Sequence, residues 1–296
     1  MLIMSIYSAI SANIWKTYFI MFFFVVFAGT LAYVLGQANG YGSSWGITVF
    51  ILALIYSGIS YFFSDKIVLA TSRAKQIELK DNPQLFHLVE NLAIGSGLPL
   101  PKIYLIHDAS PNAFATGRDP KHASIAVTTG ILEKLSKAEL EGVLAHELSH
   151  VKNYDIRVMA ITAVLVGFIA LMTDIFLRQL FWGGRKKNIH PIFFLIGIVL
   201  AIIAPLIATM IQLAVSRKRE FLADASGALL TRYPNGLADA LEKIANDPHS
   251  VKSATTGTAH LFIANPFKKN GVSSWFTNLF STHPPIQERI AILRSM

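Results

Sequence analysis

Two histidines and a glutamate near the middle of the chain have the types and the spacing needed to bind a metal ion and activate water. They occur in the segment His146-Glu147-Leu148-Ser149-His150. In a helix, the four-residue spacing places both imidazoles on one face, one turn apart, where they can share a tetrahedral Zn²⁺. Glu147 follows the first histidine and can act as a general base on a water molecule. The segment therefore predicts a zinc-dependent hydrolase.

The residues around this motif predict the helix that the spacing requires. Ser136 and Glu139 form a Ser-x-x-Glu pattern, which is typical of a helix N-terminus with a capping box. Apolar residues then recur at helical spacing, at Leu140, Val143, Leu144 and Val151. We therefore predict one helix over residues 136–156. In this interpretation Asp155 ends the motif helix and gives structural support without binding the metal.

A catalytic zinc site usually has three protein ligands, so the two histidines need a third. One class of zinc peptidases places Gly and His three and six residues after the second histidine. Those positions hold Asn153 and Ile156 here, which excludes that class. Another class takes a glutamate from a downstream helix, with an aspartate one turn later. Glu220 and Asp224 have this spacing, so we predict Glu220 as the third ligand and Asp224 as the hydrogen-bond partner of a ligand histidine.

The composition indicates that this site belongs to a membrane protein. Hydrophobic residues make up 53% of the 296 residues and charged residues only 15%, whereas soluble domains carry about 25% charged residues. Four apolar stretches are long enough to span a bilayer, which takes about 20 residues. They cover residues 18–35, 45–63, 159–177 and 192–215. The first lacks a preceding basic region and a clear cleavage site, so we interpret it as a permanent anchor rather than a signal peptide.

The apolar stretches divide the chain into four parts. We predict an N-terminal membrane hairpin, a first part of a peptidase domain, a second membrane hairpin and a second part of the peptidase domain, over residues 1–63, 64–156, 157–215 and 216–296. Two spans separate the polar parts, so both lie on one side, and the Lys and Arg residues that follow the second and fourth spans predict the cytoplasmic side. Arg185, Lys186 and Lys187 would then face outward. Either that loop is an exception, or the third and fourth spans do not fully cross.

Three segments together resemble the M48 metallopeptidases, and in particular their bacterial heat-shock membrane proteases. They are residues 146–155, residues 220–224 and the run Ser281-Thr282-His283-Pro284-Pro285. The resemblance covers nearly the whole chain. It implies an α+β, predominantly helical fold, with a zincin-like metallopeptidase domain joined to four transmembrane helices. It also implies one Zn²⁺ per chain, an active site facing the cytoplasm at the inner membrane, and cleavage of misfolded or damaged membrane proteins.

The resemblance also marks residues that spacing alone does not. It implies that Asn112, Ala113 and Phe114 lie along the substrate, and that His283 and Arg289 stabilise the oxyanion of the transition state. From the residues alone, Asn112 is equally well explained as a turn residue, His283 as structural, and Arg289 as a charge on a C-terminal helix. We expect an extended substrate to pair with an edge strand, either residues 122–128 or residues 112–116.

Other classes of protein remain as alternatives. A protease with its motif inside the bilayer is disfavoured because Lys152 and Asp155, among other charges, surround the motif, and charges are costly there. A transporter or metal-sensing scaffold gains slight support from Asp174 in the third span.

The net charge of +8 is explained by basic residues beside the bilayer, and no motif indicates nucleic-acid binding. Residues 247–285 mix Gly, Ser and Thr with short apolar runs and predict a mobile loop, with contact to the bilayer surface or to substrate as the alternative. The oligomeric state is left open.

Overall fold

The structure, a computed structural model, describes residues 6–38, 43–182, 217–251 and 284–296, together with residues 195, 199, 254, 258 and 261–263. Its helices are α1 (Ile6–Ala38), α2 (Ser43–Thr71), α3 (Pro83–Ser96), α4 (Thr129–Lys134), α5 (Lys137–Lys152), α6 (Asp155–Trp182), α7 (Arg217–Thr231), α8 (Pro234–Asn246) and α9 (Ile286–Arg294). Its strands are β1 (Lys75–Gln76), β2 (Lys102–Ile106), β3 (Ala113–Gly117) and β4 (Ala123–Thr128). The fold is mostly helical with one small sheet, as the sequence predicts.

Two helices in the described part of the chain are long and apolar enough to cross a membrane. Their apolar windows cover Ser11–Thr30 and Gly46–Thr71, and they overlap the first two predicted spans. The third predicted span lies within α6, whose first three turns are buried against α1 and α2. The fourth predicted span, residues 192–215, lies outside the described residues except for the helical positions 195 and 199.

The four strands form one sheet in the order β1-β2-β4-β3. Strands β2 and β4 are parallel, whereas β1 pairs antiparallel with β2 and β3 pairs antiparallel with β4. Strand β4 therefore lies inside the sheet, and β3 lies at its edge. The predicted edge role of residues 122–128 is wrong, because β4 has hydrogen-bonded neighbours on both sides. The alternative, residues 112–116, falls on the edge strand.

The sheet separates two apolar cores. Alternate residues of a strand face opposite sides, so Ile125 and Val127 pack towards α3, α5, α8 and α9, while Ala126 packs towards α2 and α6. Phe114 of β3 also faces the second core, where its ring lies 5.1 Å from that of Phe262. The sheet thus joins the motif helix on one face to the long apolar helices on the other.

The capping box predicted for the motif helix is confirmed. The Ser136 hydroxyl accepts from the backbone N–H of Glu139, and the Glu139 carboxylate accepts from the backbone N–H of Ser136 at 2.7 Å. The predicted C-terminus is wrong, because α5 ends at Lys152 and not at residue 156. A turn with Tyr154 in the left-handed region (φ 60°) follows it, and Asp155 begins α6 instead of ending the motif helix.

Candidate metal centre and active site

The motif helix α5 presents three buried polar side chains to the centre of the domain. His146, Glu147 and His150 are 0%, 2% and 3% exposed. The Nε2 atoms of the two histidines lie 3.1 Å apart, which is close to the separation of about 3.3 Å expected for two nitrogens bound tetrahedrally to one Zn²⁺. The predicted i, i+4 geometry is therefore present, and both rings point to a common position.

Helix α7 brings a carboxylate to the same position. Oε2 of Glu220 lies 3.7 Å from Nε2 of His146, and its Oε1 lies 3.4 Å from Nε2 of His150. The donor atoms of these three buried residues all lie within 4.8 Å of one another. Helix α7 can approach α5 this closely because it carries Gly227, where a Cβ atom would lie only 3.0 Å from the backbone nitrogen of His146.

Each histidine has its own carboxylate partner on the side of the ring that faces away from this position. Nδ1 of His146 lies 2.9 Å from Oδ1 of Asp224, and Nδ1 of His150 lies 3.0 Å from Oδ2 of Asp155. A carboxylate here accepts a hydrogen bond from Nδ1–H, which keeps the proton on Nδ1 and leaves the Nε2 lone pair as the donor to a metal. Two such lone pairs and a third carboxylate converge here, and this donor set fits a divalent cation such as Zn²⁺.

The pKa values of the two candidate ligand histidines shift in opposite directions. Burial lowers the pKa of His150, but the carboxylates of Glu220 and Asp155 outweigh it and raise the pKa to about 9. Burial lowers the pKa of His146 to about 4. A histidine must be free of its proton at the nitrogen that binds a metal, so metal affinity falls as the pH falls.

Glu147 lies between the metal position and the edge strand. Its Oε2 accepts a hydrogen bond of 2.9 Å from the backbone N–H of Ala115 in β3. Burial raises the pKa of Glu147 to about 8, and the charge of Glu220 adds to this effect. A bound cation would act in the opposite direction. The hydrogen bond from Ala115 thus holds the Glu147 carboxylate in place beside the metal position, where it can accept and return a proton.

Arg289 of α9 lies behind the metal position and is 0% exposed. Its Nε and Nη2 donate to the two oxygens of Asp224, at 2.9 and 2.7 Å, and its Nη1 donates to the carbonyl of Ile263 at 3.1 Å. Burial alone would raise the pKa of Asp224, but Arg289 and His146 outweigh it and lower the pKa to about 2. The oxyanion role predicted for Arg289 stays a prediction, and His283 lies outside the described residues.

The predicted substrate segment forms the start of the edge strand. Asn112 is buried, and its backbone carbonyl accepts from the N–H of Thr128 in β4. The carbonyl of Ala113 faces the outer edge and accepts from the N–H of Ile263 at 3.1 Å. The Phe114 side chain faces the core on the side of α2 and α6. Only backbone atoms of this segment thus face the outer edge beside Glu147.

Sequence reasoning missed two residues near the ligands, Asn13 and Arg219, which the structure places in contact with Asp155. Asp155 contacts His150 directly. Asp155 was expected to give structural support and not to bind metal, and its carboxylate does face the far side of the His150 ring. For Asn13, the available signal is an amide side chain in the first turns of a long helix that is mostly apolar.

The fold and the site define a metallopeptidase with its ligands on two helices. Residues 79–296 match Peptidase family M48, so the chain belongs to this family and is a metalloprotease. It is 45% identical over 291 residues to a "Protease HtpX homolog" of Tropheryma whipplei, with 98% of each chain covered. It is 44% identical to a protein of the same description from Dictyoglomus turgidum, over 98% of this chain and 94% of the relative. The predicted resemblance is confirmed.

A solved structure, that of S. mikatae Ste24p, shares the fold. The TM-score is 0.50 and the sequence identity 24%, and the match covers 89% of this chain. The chain spans 64% of the length of that protein.

Proposed function

We propose that this chain is a membrane-anchored zinc endopeptidase that cleaves misfolded or damaged membrane proteins on the cytoplasmic side of the inner membrane. The observation that carries the proposal is the convergence of His146, His150 and Glu220 on one position next to Glu147. Ordinary solvated residues of these types would not be buried together with their donor atoms directed at each other. Zinc, one ion per chain, suits two imidazoles and a carboxylate better than Mg²⁺ or Ca²⁺ does.

His146, His150 and Glu220 would hold the zinc ion, which would supply Lewis-acid chemistry for a carbonyl and a water molecule at the site. The protein supplies the proton transfers. Glu147 accepts the proton of the attacking water and delivers it to the leaving amine. The N–H of Ala115 keeps the Glu147 carboxylate oriented, and Asp224 and Asp155 keep the two imidazoles oriented. Arg289 holds Asp224 in this role through two hydrogen bonds, in addition to any contact with the oxyanion.

We propose that an extended substrate adds to the outer edge of β3. Because residues alternate along a strand, Ala113, Ala115 and Gly117 present their backbone groups to that edge. Ile263 already bonds to Ala113, so the Ala115–Gly117 end, next to Glu147, is where a substrate strand would pair. Recognition through backbone atoms suits unfolded substrates of varied sequence. The oligomeric state does not enter this proposal.

The domain proposal follows from the packing of the helices. Helices α7 and α8, from residues 216–296, pack on the motif helix from residues 64–156, and α9 packs on α7 and α8. This packing supports one peptidase domain built from two parts of the chain. Residues 1–63 and 157–215 would form the two membrane hairpins. With two spans in each hairpin, both parts of the peptidase domain lie on the same side.

The catalytic proposal is tested with Glu147→Gln, which keeps the size of the side chain but cannot accept the proton. The full chain is purified in detergent, loaded with zinc and given an unfolded test protein. We expect the variant to bind zinc like the wild type and to cleave about 10²–10⁴-fold more slowly. Glu141→Gln, on the same helix, is the matched control and should cleave normally. A Glu147→Gln protein that binds zinc and cleaves normally would refute the role.

Membrane topology is tested by cysteine labelling, because the chain contains no cysteine of its own. Lys121→Cys lies on the exposed surface of the first polar part, and Lys186→Cys lies between the third and fourth predicted spans. In intact cells, we expect a membrane-impermeant reagent to label position 186 and not position 121. Labelling of neither position until the membrane is opened would mean that the third and fourth spans do not cross.

A further inference from the structure

The first long helix reaches the candidate metal centre through one side chain. Asn13 of α1 is 2% exposed. Its side-chain nitrogen donates to Oδ1 of Asp155 at 2.8 Å and to the backbone carbonyl of Asn153 at 2.9 Å. Its side-chain oxygen accepts from Nη1 of Arg219 at 2.7 Å. These bonds join α1 to the turn after the motif helix and to the start of α7.

The carboxylate of Asp155 divides its two oxygens between this network and the metal centre. Oδ1 accepts from Asn13 and from Nη1 of Arg219, the latter at 2.9 Å. Oδ2 faces Nδ1 of His150 at 3.0 Å. The carboxylate cannot rotate without breaking contacts on both sides. Groups that bond the far side of a metal ligand set the orientation of its ring and its basicity.

The simpler interpretation is that Asn13 is a buried polar residue whose bonds only satisfy its own amide. The neighbouring Thr17 provides the comparison. It lies one turn further along α1 and is 0% exposed, but its hydroxyl donates to the carbonyl of Asn13 within the same helix, at 2.9 Å. A polar group can therefore be satisfied on this face of α1 without leaving the helix. Asn13 instead directs its amide to the residue that orients His150.

We propose that Asn13 is a positioning residue for the metal centre. Asn13 fixes the orientation of the Asp155 carboxylate, and the carboxylate in turn fixes the His150 imidazole. The packing of α1 on the peptidase domain therefore affects the affinity of the site for the metal. The inference rests on the proposed role of His150 as a metal ligand. It gives the first membrane helix a part in the reaction besides anchoring the chain.

The test measures zinc release from the full-length chain in detergent. Zinc-loaded protein is mixed with a chromogenic chelator, and the release rate is compared for the wild type, Asn13→Leu, Thr17→Val and Asp155→Asn. Loss of a group that orients a ligand costs about 10–100-fold in metal affinity or activity, and we expect this for Asp155→Asn. For Asn13→Leu, which acts one step further away, we expect release about 5–10-fold faster. Thr17→Val should stay within twofold of the wild type.

A double variant separates positioning from general damage to packing. If Asn13 acts through Asp155, then Asn13→Leu should change the release rate by less than twofold in the Asp155→Asn background, because the two effects are not additive. In peptidase assays, Asn13→Leu should lower kcat and leave KM unchanged. Asn13→Ser, whose side chain is too short to reach Asp155, should behave like Asn13→Leu and serves if the larger residue disturbs folding.

Several outcomes would overturn the inference. They are wild-type zinc release from both Asn13 variants, equal acceleration by Thr17→Val, or effects of Asn13→Leu and Asp155→Asn that multiply fully. His150→Ala tests the proposed function separately, since it should abolish tight zinc binding. Zinc that is retained in His150→Ala would refute the metal site itself, and not the link from Asn13 to Asp155.

Discussion

Replacing Gly227 by alanine should damage the metal centre although Gly227 contacts no metal. An alanine Cβ at this position would lie 3.0 Å from the backbone nitrogen of His146 and 3.3 Å from the carbonyl carbon of Ala145. Ordinary contacts of this kind begin at 3.4 Å. The neighbouring atoms belong to the backbone of the motif helix, so they cannot rotate away as a side chain would.

The size of the effect follows from the geometry. Helix α7 must retreat from α5 by about 0.3–0.5 Å to relieve the contact, and overpacking of this kind costs about 1–3 kcal/mol. The same helix carries Glu220 and Asp224 within two turns of Gly227. A metal site tolerates deviations of only about 0.2 Å in its ligand distances. We therefore expect Gly227→Ala to weaken zinc binding by at least about tenfold and to lower the unfolding temperature by several degrees.

Gly95→Ala is the matched control. Gly95 also lies in a helix and also faces α7, but its added Cβ would meet only the flexible end of Leu230, at 3.3 Å. Alanine is a better helix former than glycine by about 0.5–1 kcal/mol, so the control should be neutral or slightly stabilised. Zinc affinity is measured by competition with a chelator, and stability by thermal unfolding in detergent. Wild-type zinc affinity in Gly227→Ala would refute the view that close packing of the two helices sets the ligand geometry.

Three further predictions concern charge and metal. Arg289→Met should lower the free energy of unfolding by about 3–5 kcal/mol, because it removes the cation that pairs with the buried carboxylate of Asp224. Arg294→Met, on the exposed end of the same helix, should change the free energy of unfolding far less in the same denaturant titration. Burial alone would raise the pKa of Glu139, but the hydrogen bonds from Lys243 and from the capping box outweigh burial and hold this pKa below its ordinary value of 4.5. The ion pair between Glu139 and Lys243 therefore stabilises the folded protein above pH 4.5, and this stabilisation is lost as the pH falls. The difference in unfolding temperature between Lys243→Met and the wild type should accordingly shrink from pH 7 to pH 3. Removing zinc by chelation should lower the unfolding temperature. If the protein is first held at a free zinc concentration of 100 Kd, its free energy of unfolding should fall by about 2.7 kcal/mol. Equal melting curves with and without metal would contradict this prediction.

The parts of the site that local spacing determines could be predicted from the sequence. The i, i+4 histidines, the capping box at Ser136 and the Glu220–Asp224 pair all depend on contacts within one or two helical turns, and the structure has each of them in the expected geometry. The helix end was wrong by four residues because the periodic pattern continues past Lys152. The left-handed turn at Tyr154 interrupts the helix there, and a pattern of apolar residues does not reveal such a turn.

The pairing of the strands could not be predicted in the same way. Alternation along residues 122–128 indicates a strand but does not say which strands lie beside it, because strand order depends on contacts distant in sequence. Strand β4 is buried between β2 and β3, and that position makes β3 the edge. The identity of the edge decides which backbone atoms lie next to Glu147.

The same limit applies to the contacts between the long apolar helices and the site, because these contacts also join residues that are distant in sequence. The carboxylate that orients His150 begins α6, the arginine that bonds it precedes Glu220 at the start of α7, and the amide that fixes it comes from α1. All three lie where an apolar segment meets the peptidase domain. A soluble domain tethered by independent anchors would need none of these bonds. The interleaving of long apolar segments and ligand-bearing helices therefore has a physical reason, since the helix junctions themselves carry the residues that surround the candidate metal ligands.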